Sequence, residues 1–443
     1  MKNKIFNSLF RCAGLSVCGF LIFASPVRAQ ESAGTEVLRL DLHAAIEKAL
    51  ESSEDLLISR NNIEKSEADY KKEKSAIYPQ VDGTGSVTHH FEYPAAAQAT
   101  QDYSGDVGVS LDQLLWSFGK VRAAINASDK YMDVARLNAD TARQAVVYNA
   151  KVSYFSVKLA ERSYAILLQS LHNAQDNKKI LEDRSASGRV SRRDFLKASA
   201  DVAARQPLVN DAEKTRHTTH QEFKVMTGID PSVQIFLSEE FEKDYKELDA
   251  AKLFEAMRSN EPALKALSKD VELRGDLIDV KKASFLPEVS GFATWNHKGQ
   301  DQDAHWGSPN MDDYGTVGVK VSVPIWTGGF LMNDLQSARI QKRNSELGLR
   351  KAQEQYGLAL DQAIASYHDL IKTLESNNEA VRLAEESFHL TQDFFKTGSA
   401  TLTDLNDAEL QLTQQRLIRE RTFYNICIAL AKIEQLTLME DLL

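Results

Sequence analysis

Val107-Gly108-Val109 returns 210 residues later as Val317-Gly318-Val319, Trp116 as Trp326 and Gly119 as Gly329. The same offset carries Gly188-x-x-Ser191-x-x-Asp194 to Gly398-x-x-Thr401-x-x-Asp404, and Thr227 to Thr437. A period this long is not that of a solenoid, whose units run about 20–50 residues. It marks a duplicated half-chain, so whatever residues 30–228 build, residues 251–443 must build again, with 229–250 as the join.

Prolines divide each half at the same point. Pro79 and Pro287, in Tyr78-Pro79-Gln80-Val81 and Leu286-Pro287-Glu288-Val289, each end a helical pattern and open an extended one. Beyond them Val81-Gly83-Gly85-Val87 alternates with Asp82-Thr84-Ser86-Thr88, and Val107-Val109-Leu111 with Gly108-Ser110-Asp112. In the second half Val317-Val319-Val321-Val323-Ile325 alternates with Gly318-Lys320-Ser322-Pro324. This period of two predicts two strands per half, joined by polar loops at 94–103 and 299–313.

No proline falls between residues 95 and 206, or between 325 and 443. Helices there can be long: arms over 120–184 and 330–396, each about 100 Å at 1.5 Å per residue. Shorter helices flank them at 42–76 and 191–227, then at 251–285 and 401–437, and Pro207 is expected to interrupt and bend one of these. Two short helices end to end match one long arm, the arrangement of a coiled-coil tube. Residues 229–250, with the two termini, are expected to form a small mixed collar around its middle.

The first 29 residues read as an export signal: Lys2, Lys4 and Arg11, then an apolar stretch from Cys12 to Ala24, then Val27-Arg28-Ala29 at the cleavage point. They hold four basic and no acidic residues, leaving 49 basic against 63 acidic and a net charge of −14, which argues against nucleic acid as a partner. Only Cys427 follows, so no disulfide can form within the mature chain. No later segment approaches 18 consecutive apolar residues. A membrane passage must therefore use strands of a closed barrel. Trp116, Trp295 and Trp326 in or beside the strands, with Trp306 in a loop, suggest the interfacial aromatics of such a barrel. Four strands cannot close, and an open edge is not tolerated in lipid, so several chains must share one barrel.

Together the duplication, the strand-to-helix junctions Leu115-Trp116-Ser117-Phe118-Gly119 and Ile325-Trp326-Thr327-Gly328-Gly329, and the helix-turn tips resemble the TolC-like outer-membrane efflux protein family across the mature chain. The resemblance implies an α+β membrane protein: a homotrimeric 12-stranded outer-membrane β-barrel, four strands per chain, continued by a long α-helical coiled-coil periplasmic tunnel. It implies a periplasmic adaptor (a membrane fusion protein) and an inner-membrane pump of resistance-nodulation-division, ABC or major-facilitator type as partners.

At the tips, Gly188 and Gly398 suit the left-handed position after a long helix, while Ser191-x-x-Asp194 and Thr401-x-x-Asp404 suit helix-starting caps. Asp404 and Asp407, three apart on one helical face, match the positions where the family places aspartate rings at the tunnel mouth. Six carboxylates converging on a pore attract cations, exclude anions and resist close approach. The repeat partner of Asp407 is Lys197, so only the second tip carries paired acids. Gly188, Val190, Ser191, Asp194, Gly398 and Thr401 match the region that family adaptors touch. Ala400 stands where the family has a latch arginine and Phe395 where it has a tyrosine, with Arg192 and Arg193 as candidates for the missing cation.

His217-x-x-His220 places two imidazoles on one helical face without a third ligand, which favours a solvated face over a metal site, and no cofactor is expected. No P-loop, G-x-S-x-G, H-E-x-x-H or dinucleotide motif occurs, so the chain is expected to be neither an enzyme nor its own energy source. The expected function is a passive exit channel for drugs, other small molecules or secreted polypeptide, as in type I secretion. The alternatives are a periplasmic coiled-coil adaptor and a constitutively open porin.

Overall fold

The structure, a computed structural model, describes residues 37–89, 103–186, 191–238, 247–301 and 311–439. The export signal, Gly188, Val190, Trp306 and residues 94–102 and 302–310 of the two expected polar loops lie outside the described residues, whereas Tyr103, 299–301 and 311–313 belong to strands rather than to those loops. The first half runs β1 (Val37–Leu40), α1 (Leu42–Ser52), α2 (Glu54–Ser75), β2 (Gln80–His89), β3 (Tyr103–Trp116), α3 (Lys120–Ala186) and α4 (Arg192–Thr227). After β4 (Gln234–Leu237) the same order returns as α5 (Ala250–Asn260), α6 (Pro262–Ala283), β5 (Glu288–Asp301), β6 (Met311–Ser322), α7 (Phe330–Thr397) and α8 (Leu402–Thr437).

The four long strands form one antiparallel sheet in the order β2-β3-β5-β6. Its register sorts most side chains by polarity, with Leu114 and Phe292 as apolar exceptions on the polar face and Gln113 as a polar one on the other. Val81, Leu111, Ala293 and Val317 are aligned across the sheet, as are Gly83, Val109, Trp295 and Gly315. On the opposite face Asp82, Ser110, Thr294 and Thr316 are aligned, as are Ser86, Asp106, Lys298 and Asp312. A register shift between Leu114 and Trp116 bulges Leu115 and returns Trp116 to the apolar face, opposite Val289. β6 ends at Ser322 rather than at the expected Ile325, because its in-chain neighbour β5 begins at Glu288, the partner of Ser322.

The two arms are unbroken helices of 67 and 68 residues. Along α7, Leu360, Tyr367, Leu374, Val381, Phe388 and Phe395 recur every seven residues and are all buried. That strict heptad is the seam of a coiled coil. On α8, Leu405, Leu412, Ile426 and Ile433 fall on one heptad track, and Leu402 and Glu409 on the other. α4 does not break at Pro207. The proline is exposed, so the carbonyl it leaves without a partner can be hydrated.

The expected helices at 42–76 and 251–285 are each two helices. Ser53 ends α1 and caps α2, accepting from the Leu56 amide, and Glu261 separates α5 from α6 with Pro262 in the first turn. β1 pairs with β4 as a two-stranded parallel sheet, and Leu40, Tyr154, Val157, Phe223, Leu237 and Cys427 form the core beneath it. Glu261 is 2 % exposed, and one of its oxygens has no hydrogen-bond partner among the described residues. Burial pushes its carboxyl up to about 7, against weaker opposition from the Ala263 amide and Lys432. The ionised form is thus penalised in the folded chain only, and stability is lost as pH rises from the ordinary carboxylate range through about 7. Glu261→Gln is expected to be more stable than the wild type at pH 8, by up to about 3 kcal/mol, with the advantage gone near pH 4. Thermal unfolding of both proteins at the two pH values checks this; an advantage equal at both would mean that charge is not the cause.

Candidate functional site

Two surfaces are candidates for the functional chemistry, and they lie at opposite ends of the long helices. At the sheet, Val81, Val87, Val109, Trp295, Val317, Val319 and Val321 are large apolar side chains left exposed on one face. A contiguous apolar face backed by Asp, Ser, Thr and Lys on the other side is the pattern of a strand set between lipid and water. The apolar face gives way to polar groups where His297 meets Asp313 across the strands at 2.8 Å. Trp116 ends β3 and Trp326 follows β6, both exposed, whereas Trp295 lies in the middle of β5. No helix among the described residues is long and apolar enough to cross a membrane.

At the other end the helices turn. Gly398 adopts φ +84° after α7, and the Ser399 and Ala400 amides both donate to the Phe394 carbonyl, 2.7 and 3.2 Å away. Only a residue without a Cβ takes this left-handed turn without strain. Thr401 then starts α8 with a complete capping box: its hydroxyl accepts from the Asp404 amide at 3.2 Å, and Asp404 Oδ2 accepts from the Thr401 amide at 2.9 Å. The Thr401 hydroxyl, donating to Asp404 Oδ2 at 2.7 Å, and secondly the Thr401 amide hold the Asp404 carboxyl below its ordinary value. Asp404 therefore combines a structural role with a fixed negative charge at the tip. In the first half Ser191 caps α4 through the Asp194 amide at 3.3 Å, and its hydroxyl meets Asp194 Oδ2 at 2.8 Å.

The two tips share one core, in which Leu181 and Ala198 of the first hairpin meet Phe388, Phe395, Leu402 and Leu405 of the second. Three cations of the first hairpin tie it to the second, and sequence reading identified none of them as a tie. Arg184 reaches from the end of α3 to the end of α7, donating to the Phe395 and Lys396 carbonyls at 3.3 and 2.9 Å, with its guanidinium 5.3 Å from the Phe395 ring centre. A cation on the last carbonyls of a helix is favoured by the helix dipole. Lys197 donates to Thr403 across the hairpins at 2.6 Å. Arg205 of α4 lies 3.0 Å from Glu409 of α8 and 3.1 Å from Asp201, and it also donates to Ser170 of α3. Glu409 is 1 % exposed; desolvation raises its carboxyl above the ordinary value, and Arg205 counters this.

Asp407 and Lys197 line a cleft of about 830 Å³ between α3, α4 and α8, together with Asp201, Arg205 and Arg421. The repeat-related acid and base thus face one cavity, whereas Asp404 is engaged in its cap. Of the expected tip residues, the structure places Ser191, Asp194, Gly398 and Thr401 in the turns. The cation resting on the Phe395 ring is Arg184. His220 pairs with Glu161 at 3.0 Å, and no cluster of three His, Cys, Asp or Glu able to hold a metal occurs among the described residues.

Comparison with known proteins places this geometry. The family model described as outer membrane efflux protein matches residues 45–228 and again 253–437. The outer membrane efflux protein BepC of Brucella suis is 20 % identical over 396 residues, spanning 89 % of this chain and 85 % of its own length. The fold matches the Campylobacter jejuni CmeC outer membrane channel with a TM-score of 0.77 at 16 % identity, covering 89 % of this chain and 85 % of that one. It matches the outer membrane protein VceC of Vibrio cholerae at 0.74 and 20 % identity, covering 89 % and 96 %. The chain belongs to the outer membrane efflux protein family and is an efflux channel of the outer membrane.

Proposed function

We propose that three copies of this chain form the exit duct of a tripartite export machine, passing its substrate passively from an inner-membrane pump and a periplasmic adaptor to the exterior. The observation that carries this reading is the sheet. Four long strands with one exposed apolar and one polar face end in two unpaired edges, β2 and β6, and continue directly into helices about 100 Å long. Such edges must be covered in lipid, and copies of the same sheet cover them. Twelve strands then enclose a lumen lined by the Asp, Ser, Thr and Lys face, and the α3 and α7 arms continue it below the membrane.

The hairpin tips are its periplasmic mouth. Asp404 and Asp407 supply the electrostatic constriction there, and Gly188, Val190, Ser191, Asp194, Gly398 and Thr401 form the surface that meets the adaptor. In the closed state Arg184, Lys197 and Arg205 hold the second hairpin against the first. Single-channel recording in planar bilayers tests the mouth. The wild type is expected to show a small, cation-preferring conductance, and Asp404→Ala/Asp407→Ala a larger one with weakened preference. A large wild-type conductance unaffected by the double substitution would remove the gate while leaving the channel. Silence from correctly folded protein would count against the channel itself.

A further inference from the structure

The internal duplication fixes more than the fold of one chain: it specifies how two chains join. In the β2–β3 ladder the numbers of paired residues always sum to 192, as for Val81 with Leu111, and in the β5–β6 ladder they sum to 610, as for Ala293 with Val317. Moving β2 onto β5 by 208 residues and β3 onto β6 by 210 converts the first ladder into the second without remainder. The two hairpins are therefore repeats in register as well as in sequence. The junction between them, β3 with β5, has pairs that sum to 404 up to the bulge, as for Val107 with His297. The same two offsets carry this junction onto β6 and a neighbouring copy's β2, with pairs that sum to 406.

We infer that β6 of one subunit pairs antiparallel with β2 of the next in this register: Val319 opposite Val87, Lys320 opposite Ser86, Val321 opposite Gly85 and Val323 opposite Gly83. The assignment rests on the trimeric reading above and adds to it the identity of every contact.

Three observations that did not enter the construction agree with it. First, the pairing keeps like faces together. Val319 and Val321 of the exposed apolar face meet Val87 and Gly85, whose register places them on that face too. A slip of one residue would set them against Ser86 and Thr84 of the polar face, which a strand between lipid and water does not permit. Second, the apolar alternation of the second half runs past the end of β6, through Val323, which is 51 % exposed. No in-chain strand reaches it, because β5 begins at Glu288. In the inferred ladder β2 of the neighbour does. Third, the bulge that follows Leu114 in β3 maps to the residue after Pro324. A proline within a sheet is confined to edges and bulges, where a missing amide costs no ladder bond. Mapped in the same way, Trp326 falls opposite Val81, as Trp116 does opposite Val289. Six half-sheets related by one repeated step then close the barrel, and each chain supplies two.

Cysteine pairs on the full-length protein in outer-membrane vesicles, in a Cys427→Ala background, test the register. Directly opposed residues of antiparallel strands have Cα atoms about 4.5–5.5 Å apart, whereas cysteines beyond about 7 Å do not bridge. Val319→Cys with Val87→Cys, oxidised by copper phenanthroline, is expected to give covalent dimers and trimers on denaturing gels. Val319→Cys with Gly85→Cys, or with His89→Cys, should give at least tenfold less. Opposed pairs alternate between close and wide spacing along an antiparallel ladder, so Lys320→Cys with Ser86→Cys on the other face supplies the second geometry. A ladder strongest at Gly85 or His89 overturns the register and leaves a shared barrel standing. Absence of cross-links at every pair, with protein that is folded and membrane-inserted, overturns the shared barrel as well.

Discussion

Arg205→Ala is expected to lower the stability of the folded chain by about 3–5 kcal/mol, far more than loss of a surface ion pair would. Glu409 occupies a heptad position between Leu402 and the next turn of the seam, and it is almost fully buried. Removing its counter-ion strands a charge in the contact between α4 and α8 rather than simply deleting an attraction. The carboxyl, already raised by desolvation, would rise further. The variant should therefore recover stability as pH falls from 7 to 5, because protonation removes the uncompensated charge. Replacing both partners, Arg205→Leu/Glu409→Leu, is expected to be neutral or stabilising by about 1–4 kcal/mol, since an apolar pair fills the seam without desolvation cost. Chemical denaturation of the purified protein in detergent reads all three. If the pair also holds the second hairpin closed, Arg205→Ala will leak ions in bilayers while the Leu pair stays shut. A single variant as stable as the wild type would show the pair to be dispensable.

That pair also marks where sequence reading stops. Strands and long arms were legible because each is set locally: by a period of two residues around Val107 and Val317, and by a run free of glycine and proline from Lys120 to Arg184. The Gly398 turn and the Thr401 cap were legible because a left-handed turn and an N-cap each demand particular residue types at adjoining positions. Arg205 and Glu409 carry no such mark. They stand 204 residues apart, their repeat-equivalents do not match them, and only packing of α4 on α8 makes them partners. Arg184 is likewise defined by two carbonyls of a helix that begins more than a hundred residues away. The helix breaks at Ser53 and Glu261 are a different matter. Ser53-Glu54-Asp55 and Glu261-Pro262 are ordinary helix-start signals, masked by apolar positions that continue on either side. The end of β6 at Ser322 belongs to neither group: the alternation to Ile325 was real in the sequence, and the strand that answers it lies outside the single chain.

Arginine on the two faces of β3 should separate the barrel reading from every soluble alternative. Val109 and Ser110 are neighbours at the centre of the strand, and the register sends them to opposite faces: Val109 beside Gly83 and Trp295, Ser110 beside Asp82 and Thr294. With the apolar face in lipid, Val109→Arg places a guanidinium near the bilayer midplane, at a cost of about 2–4 kcal/mol per chain. In the proposed barrel of three copies that cost is multiplied, so folded protein recovered from the outer membrane should fall sharply. Ser110→Arg instead enters a water-filled lumen beside Asp82. It is expected to assemble at the wild-type level and to shift the channel away from cation preference. Urea-induced unfolding from lipid vesicles gives the energy difference, and bilayer recording gives the selectivity. A coiled-coil adaptor would bury one face of this sheet against protein and leave the other in water. It would then lose stability from Val109→Arg in detergent-free buffer, and Ser110→Arg would change no current. A constitutively open porin would show the same contrast between faces as a gated channel, but would respond to neither Arg205 nor the Asp404 and Asp407 pair. The face contrast therefore tests the membrane end of the molecule, and the seam tests whether the opposite end controls it.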